Sequence, residues 1–449
     1  MTRLTDHLII LSFDCLSSLD IPALLKLPNF QTFMNGSSYC TNVETIYPSV
    51  TYPCHTSIIT GNYPNRHRVV NNTFIQPGRQ SPDWYWHRQA INGTTLYDEA
   101  KKAGMETASL LWPVTARAKI DYNMPEIFAN RPWQTQVMVS LFNGSPLFQI
   151  EMEARFGKIR KGIRQPELDD FVLESAVHTI KAKKPGLMLV HFVDLDSQRH
   201  HHGFSSNEAN AALKRHDKRL GRILGAIRDS GLADSSTIAI LGDHSALDVS
   251  KALKMNVLLK ENGLIKTDKK GKINSWKAFC KSCDGSAYLY LKNPKDHETK
   301  KTLERLIDML ITDKRNGIET AYTGMEADRF GADGSAIFML EALRGFYFED
   351  SHEGTFIEDI TEEAVAKRNF SFACHGYSPL KEKYSTVFFA KGKGILEGVR
   401  IPSMRLVDEG PTFARLLGIS LGNTDGQVIE DIVDYSPNNM IQMRSSINS

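Results

Sequence analysis

Three aspartates, Asp14, Asp196 and Asp243, stand on or just beyond short apolar runs, and two of them have histidine close by in the chain. His244 follows Asp243 directly, so one stretch offers a carboxylate and an imidazole together. His200 follows Asp196 by four residues, and either a helical turn or a tight loop could aim both at one cation. Carboxylate oxygen and neutral imidazole are ligands that zinc takes in catalytic sites, where one position stays open. The run His200-His201-His202 is by itself a common surface feature, and the Asp-x-x-x-His spacing is similarly cheap. What sharpens the pattern is Thr51 in TIYPSVTYPCHTSIITGNYP (45–64), placed between Pro48 and Pro53 and ahead of an apolar stretch suited to a helix. A hydroxyl at a helix N-terminus has backbone N–H groups beside it that can hold an anion.

Elements of the right kind exist to position these groups. The runs LIILSFD (8–14), TASLLW (107–112), LMLVHFVDLD (187–196), TIAILGD (237–243) and STVFFAKG (385–392) read as strands, and amphipathic stretches separate them. That alternation argues for an α/β fold with a mostly parallel sheet. In an open parallel sheet ligands bind beyond the carboxyl ends of the strands, so the three aspartates would meet at one edge. The clearest helix is expected over 205–230: Ser205, Ser206 and Asn207 offer an N-cap, Leu213, Leu220, Ile223, Leu224 and Ile227 share a face, and Gly231 closes it. PTFARLLGI (411–419) reads as a second, shorter helix ended by glycine. Residues 254–370 differ in character, with the basic stretch KTDKKGK, the aromatic strand SAYLYL and a charged helical segment. They are expected to form an inserted α+β, cap-like subdomain between core parts 1–253 and 371–435, with 436–449 as a C-terminal tail.

Composition excludes several classes. Hydrophobic residues at 41% and charged residues at 24% are globular values, against disordered or fibrous ones. A net charge of +2 supplies no global field to gather a nucleic-acid polymer. Mean hydropathy is −0.31 and the longest apolar runs are strand-sized, far below the roughly 20 residues that span a bilayer. The start MTRLTDHLIILSFD lacks the long apolar segment of a secretory signal. Six scattered cysteines are too few for a disulfide framework. The expectation is a soluble cytoplasmic protein with reduced thiols and no membrane partner, in which Cys280 and Cys283 are an incidental pair in a loop before a strand. The sequence assigns no oligomeric state.

Tyr47-Pro-Ser-Val-Thr51-Tyr-Pro-Cys-His55, with Thr60-Gly61 and Pro64-Asn-Arg-His67, resembles the nucleophile segment of the nucleotide pyrophosphatase/phosphodiesterase family of the alkaline phosphatase superfamily. Asp14, Asn72, Trp112-Pro113, Asp196-Ser-Gln-Arg-His200-His-His-Gly203, Asp243-His244 and His375-Gly376-Tyr377 match that family in order. The resemblance runs from residue 8 to Gly426 and is weakest across 114–170 and the insertion. It implies an alkaline-phosphatase-like core with helices on both faces of the sheet. By the same resemblance Asp196, His200 and His375 would hold one zinc, and Asp14, Thr51, Asp243 and His244 the other, with manganese or iron tolerated by the same ligands. Thr51 would be the nucleophile, and Asn72 with the Thr51 backbone N–H would hold a phosphoryl oxygen.

The chemistry makes sense of that set. A threonine hydroxyl needs its pKa lowered to attack, and metal coordination does this. Two Zn²⁺ against three aspartates and a deprotonated Thr51 sum to zero formal charge, which suits a singly charged phosphodiester. The expected activity is hydrolysis of a small phosphoester, a nucleotide among the candidates, through a phosphothreonine intermediate. Departures from the family bear on substrate. Arg199 stands where glycine is common, and it either points to solvent or brings positive charge towards the phosphate. Tyr52 and His191 occupy the places of the aromatic pair that holds a base. Cys54 and Ser245 replace asparagine and glycine. Arg199 and the insertion keep open a phosphomonoesterase or phosphonate hydrolase, and a non-catalytic metal-binding module is the remaining alternative.

Overall fold

The computed structural model describes residues 2–79, 81–367 and 370–436. The tail assigned to 436–449 lies outside the described residues except for Ser436. An eight-stranded sheet forms the centre, in the order Met404–Arg405, Ser38–Glu44, Thr386–Gly392, Ser236–Leu241, His7–Phe13, Leu187–Phe192, Thr107–Leu110 and Tyr122–Met124. His7–Phe13 lies parallel between Leu187–Phe192 and Ser236–Leu241, while Thr386–Gly392 runs antiparallel to both of its neighbours. The five strands expected for the core lie in this sheet.

Strand periodicity accounts for the layers. Leu8 and Ile10, with Leu187, Leu189, Ala239 and Leu241, face one core shared with helices Thr51–Thr60, Leu96–Lys102 and Glu409–Leu417. Ile9, Leu11 and Phe13, with Met188, Val190 and Ile240, face the opposite core with helices Pro28–Met34, Glu167–Ala182 and Asn207–Asp229. Helices therefore cover both faces, and the central strands are apolar throughout because both sides are buried. The long helix starts where its sequence indicates: Ser206 caps it by accepting from the Ala209 N–H, and Leu213, Leu220, Ile223 and Ile227 are buried. Gly418, in the left-handed region at φ 68°, ends the C-terminal helix.

Residues 254–370 contain a four-stranded antiparallel sheet in the order Ala278–Cys283, Ser286–Leu291, Phe338–Ala342, Ile318–Thr323. The packing does not divide at 253/254. Strand Leu247–Leu253 pairs with Gly345–Phe348, Ile357–Asp359 and Ala373–Cys374, and one apolar cluster spans Leu247 to Tyr384. Cys280 and Cys283 lie on a strand, not in a loop, and three residues apart they fall into different apolar clusters. All six cysteines are buried and free. Among the described residues no helix is long and apolar enough to cross a membrane.

Candidate active site

The carboxyl end of the central sheet gathers residues from five distant stretches of chain. Asp14 follows the first strand, Asp243 and His244 follow Ser236–Leu241, and these three offer ligand atoms within 4.8 Å of one another. Asp196 and His200 lie one turn apart on helix Asp194–His202, and with His375 they form a second group under the same limit. His244 stacks over His375 with ring centroids 4.0 Å apart, so the two groups adjoin. Thr51 is the first residue of helix Thr51–Thr60, and its Oγ1 is 3.3 Å from His244 Nε2.

The donor set fits divalent cations on three observations. First, Asp14 Oδ1, Asp196 Oδ1 and Asp243 Oδ2 are buried and make no hydrogen bond among the described residues. They face imidazole nitrogens instead: Asp14 and Asp243 lie 3.3 and 3.1 Å from His244 Nε2, and Asp196 lies 3.3 Å from His200 Nε2 and 3.9 Å from His375 Nε2. Second, the ring nitrogens that face these carboxylates are the Nε2 atoms of His200, His244 and His375, which are the lone-pair donors a cation would need. His244 Nδ1 is 3.2 Å from the Ser245 carbonyl, and His375 Nδ1 is 3.5 Å from Asp284 Oδ2. Third, burial and then the Asp196 charge push the Asp14 carboxyl up to about 7, and burial with Asp14 pushes Asp243 well above its ordinary range. Burial pulls His244 down, and His375 beside it adds to this. Of the three aspartates only Asp196 is held low: burial raises it, but His200, His375 and His244 together more than offset this. Buried carboxylates driven towards the neutral form are relieved by a nearby cation.

Asn72 and Thr51 converge as the sequence indicated. Asn72 Oδ1 accepts from the Tyr52 N–H at 2.9 Å, which leaves the amide nitrogen free to donate. In the helix's first turn Pro53 has no N–H and the Cys54 N–H bonds the Val50 carbonyl at 3.0 Å. The Thr51 N–H remains as a first-turn donor for an anion.

Three residues considered for substrate contact are buried. Arg199 is neither solvent-facing nor aimed at a phosphate: it is buried, with Nη2 2.6 Å from Asp20 Oδ1 and Nη1 bonded to the Cys15 carbonyl. His191 is buried beneath the site, its Nε2 3.0 Å from Asp14 Oδ2, so it orients a carboxylate and presents no stacking face. The Tyr52 ring is likewise fully buried, packed 5.2 Å from Trp84. Two further residues carry roles that the sequence reading left unassigned. His55, four residues after Thr51, is 2.8 Å from the Thr51 carbonyl, 2.9 Å from Ser12 Oγ and 3.5 Å from Asp243 Oδ2. Its i, i+4 relation to Thr51 was the available signal. Asp284 comes from the hairpin turn of the inserted sheet and carried no local signal.

A family model for type I phosphodiesterase / nucleotide pyrophosphatase matches residues 8–378. Ectonucleotide pyrophosphatase/phosphodiesterase family member 1 of Mus musculus is 23% identical over 223 residues, 49% of this chain and 21% of the relative. Venom phosphodiesterase 2 of Crotalus adamanteus is 24% identical over 235 residues, 50% of this chain and 25% of the relative. The chain thus spans a quarter or less of the length of these relatives. Murine ectonucleotide pyrophosphatase/phosphodiesterase 5, solved as an inactive threonine-to-alanine variant with AMP, superposes with a TM-score of 0.65 at 17% identity, covering 96% of this chain and all of the other.

Proposed function

The chain belongs to the type I phosphodiesterase / nucleotide pyrophosphatase family, and from that premise we propose that it is a metal-dependent phosphodiesterase acting on a small phosphodiester through a phosphothreonine at Thr51. The observation that carries the proposal is the meeting of two Asp/His groups beside a helix-terminal hydroxyl, drawn from five separate stretches of chain. Asp196, His200 and His375 would hold one divalent ion; Asp14, Asp243, His244 and Thr51 would hold the other, with zinc the first choice for this oxygen and nitrogen set. Such ions lower the pKa of a coordinated hydroxyl and neutralise charge on the phosphoryl and leaving oxygens.

The chain's own residues supply the rest. Thr51 Oγ1 gives up its proton and forms a bond to phosphorus while the bond to one alcohol oxygen breaks, and that oxygen takes a proton from solvent as the alcohol departs. The Asn72 amide nitrogen and the Thr51 N–H hold a non-bridging oxygen as charge shifts onto it. Water then cleaves the phosphothreonine ester and restores the hydroxyl. His191 and His55, both buried, keep Asp14 and the first turn of the nucleophile helix in place. The diester reading is favoured over a monoester because Arg199 is bound to Asp20 and adds no charge at the phosphate. With Tyr52 and His191 buried, the nucleotide part of the reading is supported by the family alone. The six buried, unpaired cysteines support a reducing, cytoplasmic setting.

The test pairs elemental analysis of the purified protein with hydrolysis of bis-p-nitrophenyl phosphate and p-nitrophenyl phosphate, with Thr51→Ala as control. Two metals per chain and a diester preference that the variant loses are expected. A monoester preference would remove the phosphodiesterase reading, and turnover retained in Thr51→Ala would remove the nucleophile.

A further inference from the structure

Cys15, the residue after Asp14, adopts the left-handed region at φ 66°. For a non-glycine residue this costs about 1 kcal/mol or more, so the surroundings must hold it there. The conformation turns its two peptide groups in different directions. The N–H donates to Asp243 Oδ1 at 3.0 Å, within the group formed by Asp14, Asp243 and His244. The carbonyl accepts from Arg199 Nη1, and Arg199 sits between Asp196 and His200 on the helix that carries the other group.

Arg199 uses its whole fork in this position. Nη2 donates to Asp20 Oδ1 at 2.6 Å, Nε donates to the Phe204 carbonyl at 3.2 Å, and the guanidinium lies 3.7 Å from the Phe204 ring centroid. Asp20 spends its second oxygen on the Ser17 N–H at 2.9 Å, which closes the turn 14–20. Arg199 is only 2% exposed and Asp20 5%. A planar guanidinium with five donors in fixed directions can satisfy acceptors on separate segments at once, which an ammonium cannot. A buried pair of this kind adds little net stability over a well-packed apolar pair, so its use lies in fixing geometry. Ligand sets need positions held to roughly 0.5 Å, and this cation spans the two elements that must keep register.

We infer that Arg199 is a positioning residue that couples the two ligand groups by clamping the Asp14 turn to the Asp196–His200 helix. The inference rests on the reading that these groups bind metal ions. This chain thus spends a buried cation on the register of the site.

The test uses the full chain stripped of metal, as wild type, Arg199→Met, Arg199→Lys and Asp20→Asn. Cobalt(II) is titrated by calorimetry, and the visible ligand-field spectrum and far-UV circular dichroism are recorded. Wild type is expected to take two ions per chain. Arg199→Met should weaken both binding steps by about 10-fold or more and shift the spectrum, at unchanged circular dichroism. Arg199→Lys should fall between the two, because it keeps the charge and loses the fork. Arg199→Met with wild-type affinities and spectrum would overturn the clamp. If Arg199→Met does not fold, unchanged binding in both Arg199→Lys and Asp20→Asn overturns it equally. Fewer than two ions in wild type would overturn the metal reading itself, and this inference with it.

Discussion

The sheet edge and the inserted segment contribute to the site in different ways. Every candidate ligand and the candidate nucleophile lie outside 254–370: Asp14, Thr51, Asp196, His200, Asp243, His244 and His375. The inserted segment reaches the site at one remove. Asp284 stands 3.5 Å from His375 Nδ1, the Gly285 N–H bonds the His375 carbonyl, and the Ser282 carbonyl accepts from Asn71, the neighbour of Asn72. Glu341 accepts a hydrogen bond of 2.7 Å from the hydroxyl of Tyr47, four residues before Thr51. Residues outside 254–370 therefore offer the candidate reacting atoms, and residues within 254–370 contact their supports. A change in the first should remove chemistry, and a change in the second should grade it.

The largest effect is expected from Asp243→Asn. It removes a ligand charge at the centre of the buried group, and the amide cannot replace a carboxylate on a divalent ion. Metal content should fall below two per chain and diester turnover by about 10³-fold or more. Unchanged stoichiometry by elemental analysis would take Asp243 out of the ligand set. Next comes Asn72→Ala, which deletes the proposed oxyanion donor and leaves every ligand in place. Turnover should fall about 10²–10³-fold at constant metal content. A loss confined to KM would mean that Asn72 binds ground state and transition state alike.

Asp284→Asn tests the insertion directly. The side chain keeps its shape beside His375 Nδ1 but loses its charge, so His375 becomes a poorer ligand for a cation. Metal affinity should drop about 10–100-fold in chelator competition, with near-normal turnover once the ions are resupplied in excess. If affinity is unaffected, the insertion only walls the site and does not tune it.

The same contrast explains what the sequence disclosed. Asp14, Asp243 and His244 were legible because they follow apolar strands, and parallel strands deliver their ends to one edge. The helix Asn207–Asp229 was legible from its cap and its 3.6-residue face. Arg199 was not, because its partner Asp20 lies 179 residues away and only folding brings them together. His191 was not, because Leu187–Phe192 is buried on both faces and periodicity then cannot say which side a residue takes. In the register it stands opposite Ser12, two residues before Asp14, and that placement makes it a support for the carboxylate. Asp284 belongs to a hairpin of the segment least like the rest, and no ligand spacing marks it. Candidate ligands placed at strand ends were readable, whereas contacts made by tertiary approach were not.

The smallest effect concerns the junction between the two regions. Burial pushes the Glu341 carboxyl up to about 7, although Lys381 at 3.1 Å, Tyr47 and the Ser378 N–H all favour its charged form. A folded value above the unfolded one, about 4.3, means that the native state binds the proton more tightly. The stabilisation is then complete below pH 4 and is lost as pH rises through about 7. Glu341→Gln keeps an acceptor for Tyr47 and cannot ionise, so it removes that slope. In metal-stripped protein, which takes ion binding out of the comparison, the urea midpoint of wild type should fall relative to the variant between pH 5 and 7.5. The difference should be about 1–3 kcal/mol. A gap between the two proteins that is the same at both pH values would show that Glu341 is already ionised in the fold. Lys381 would then hold a charged pair with Glu341 at this junction, and Tyr47 would donate to a carboxylate instead of a protonated acid.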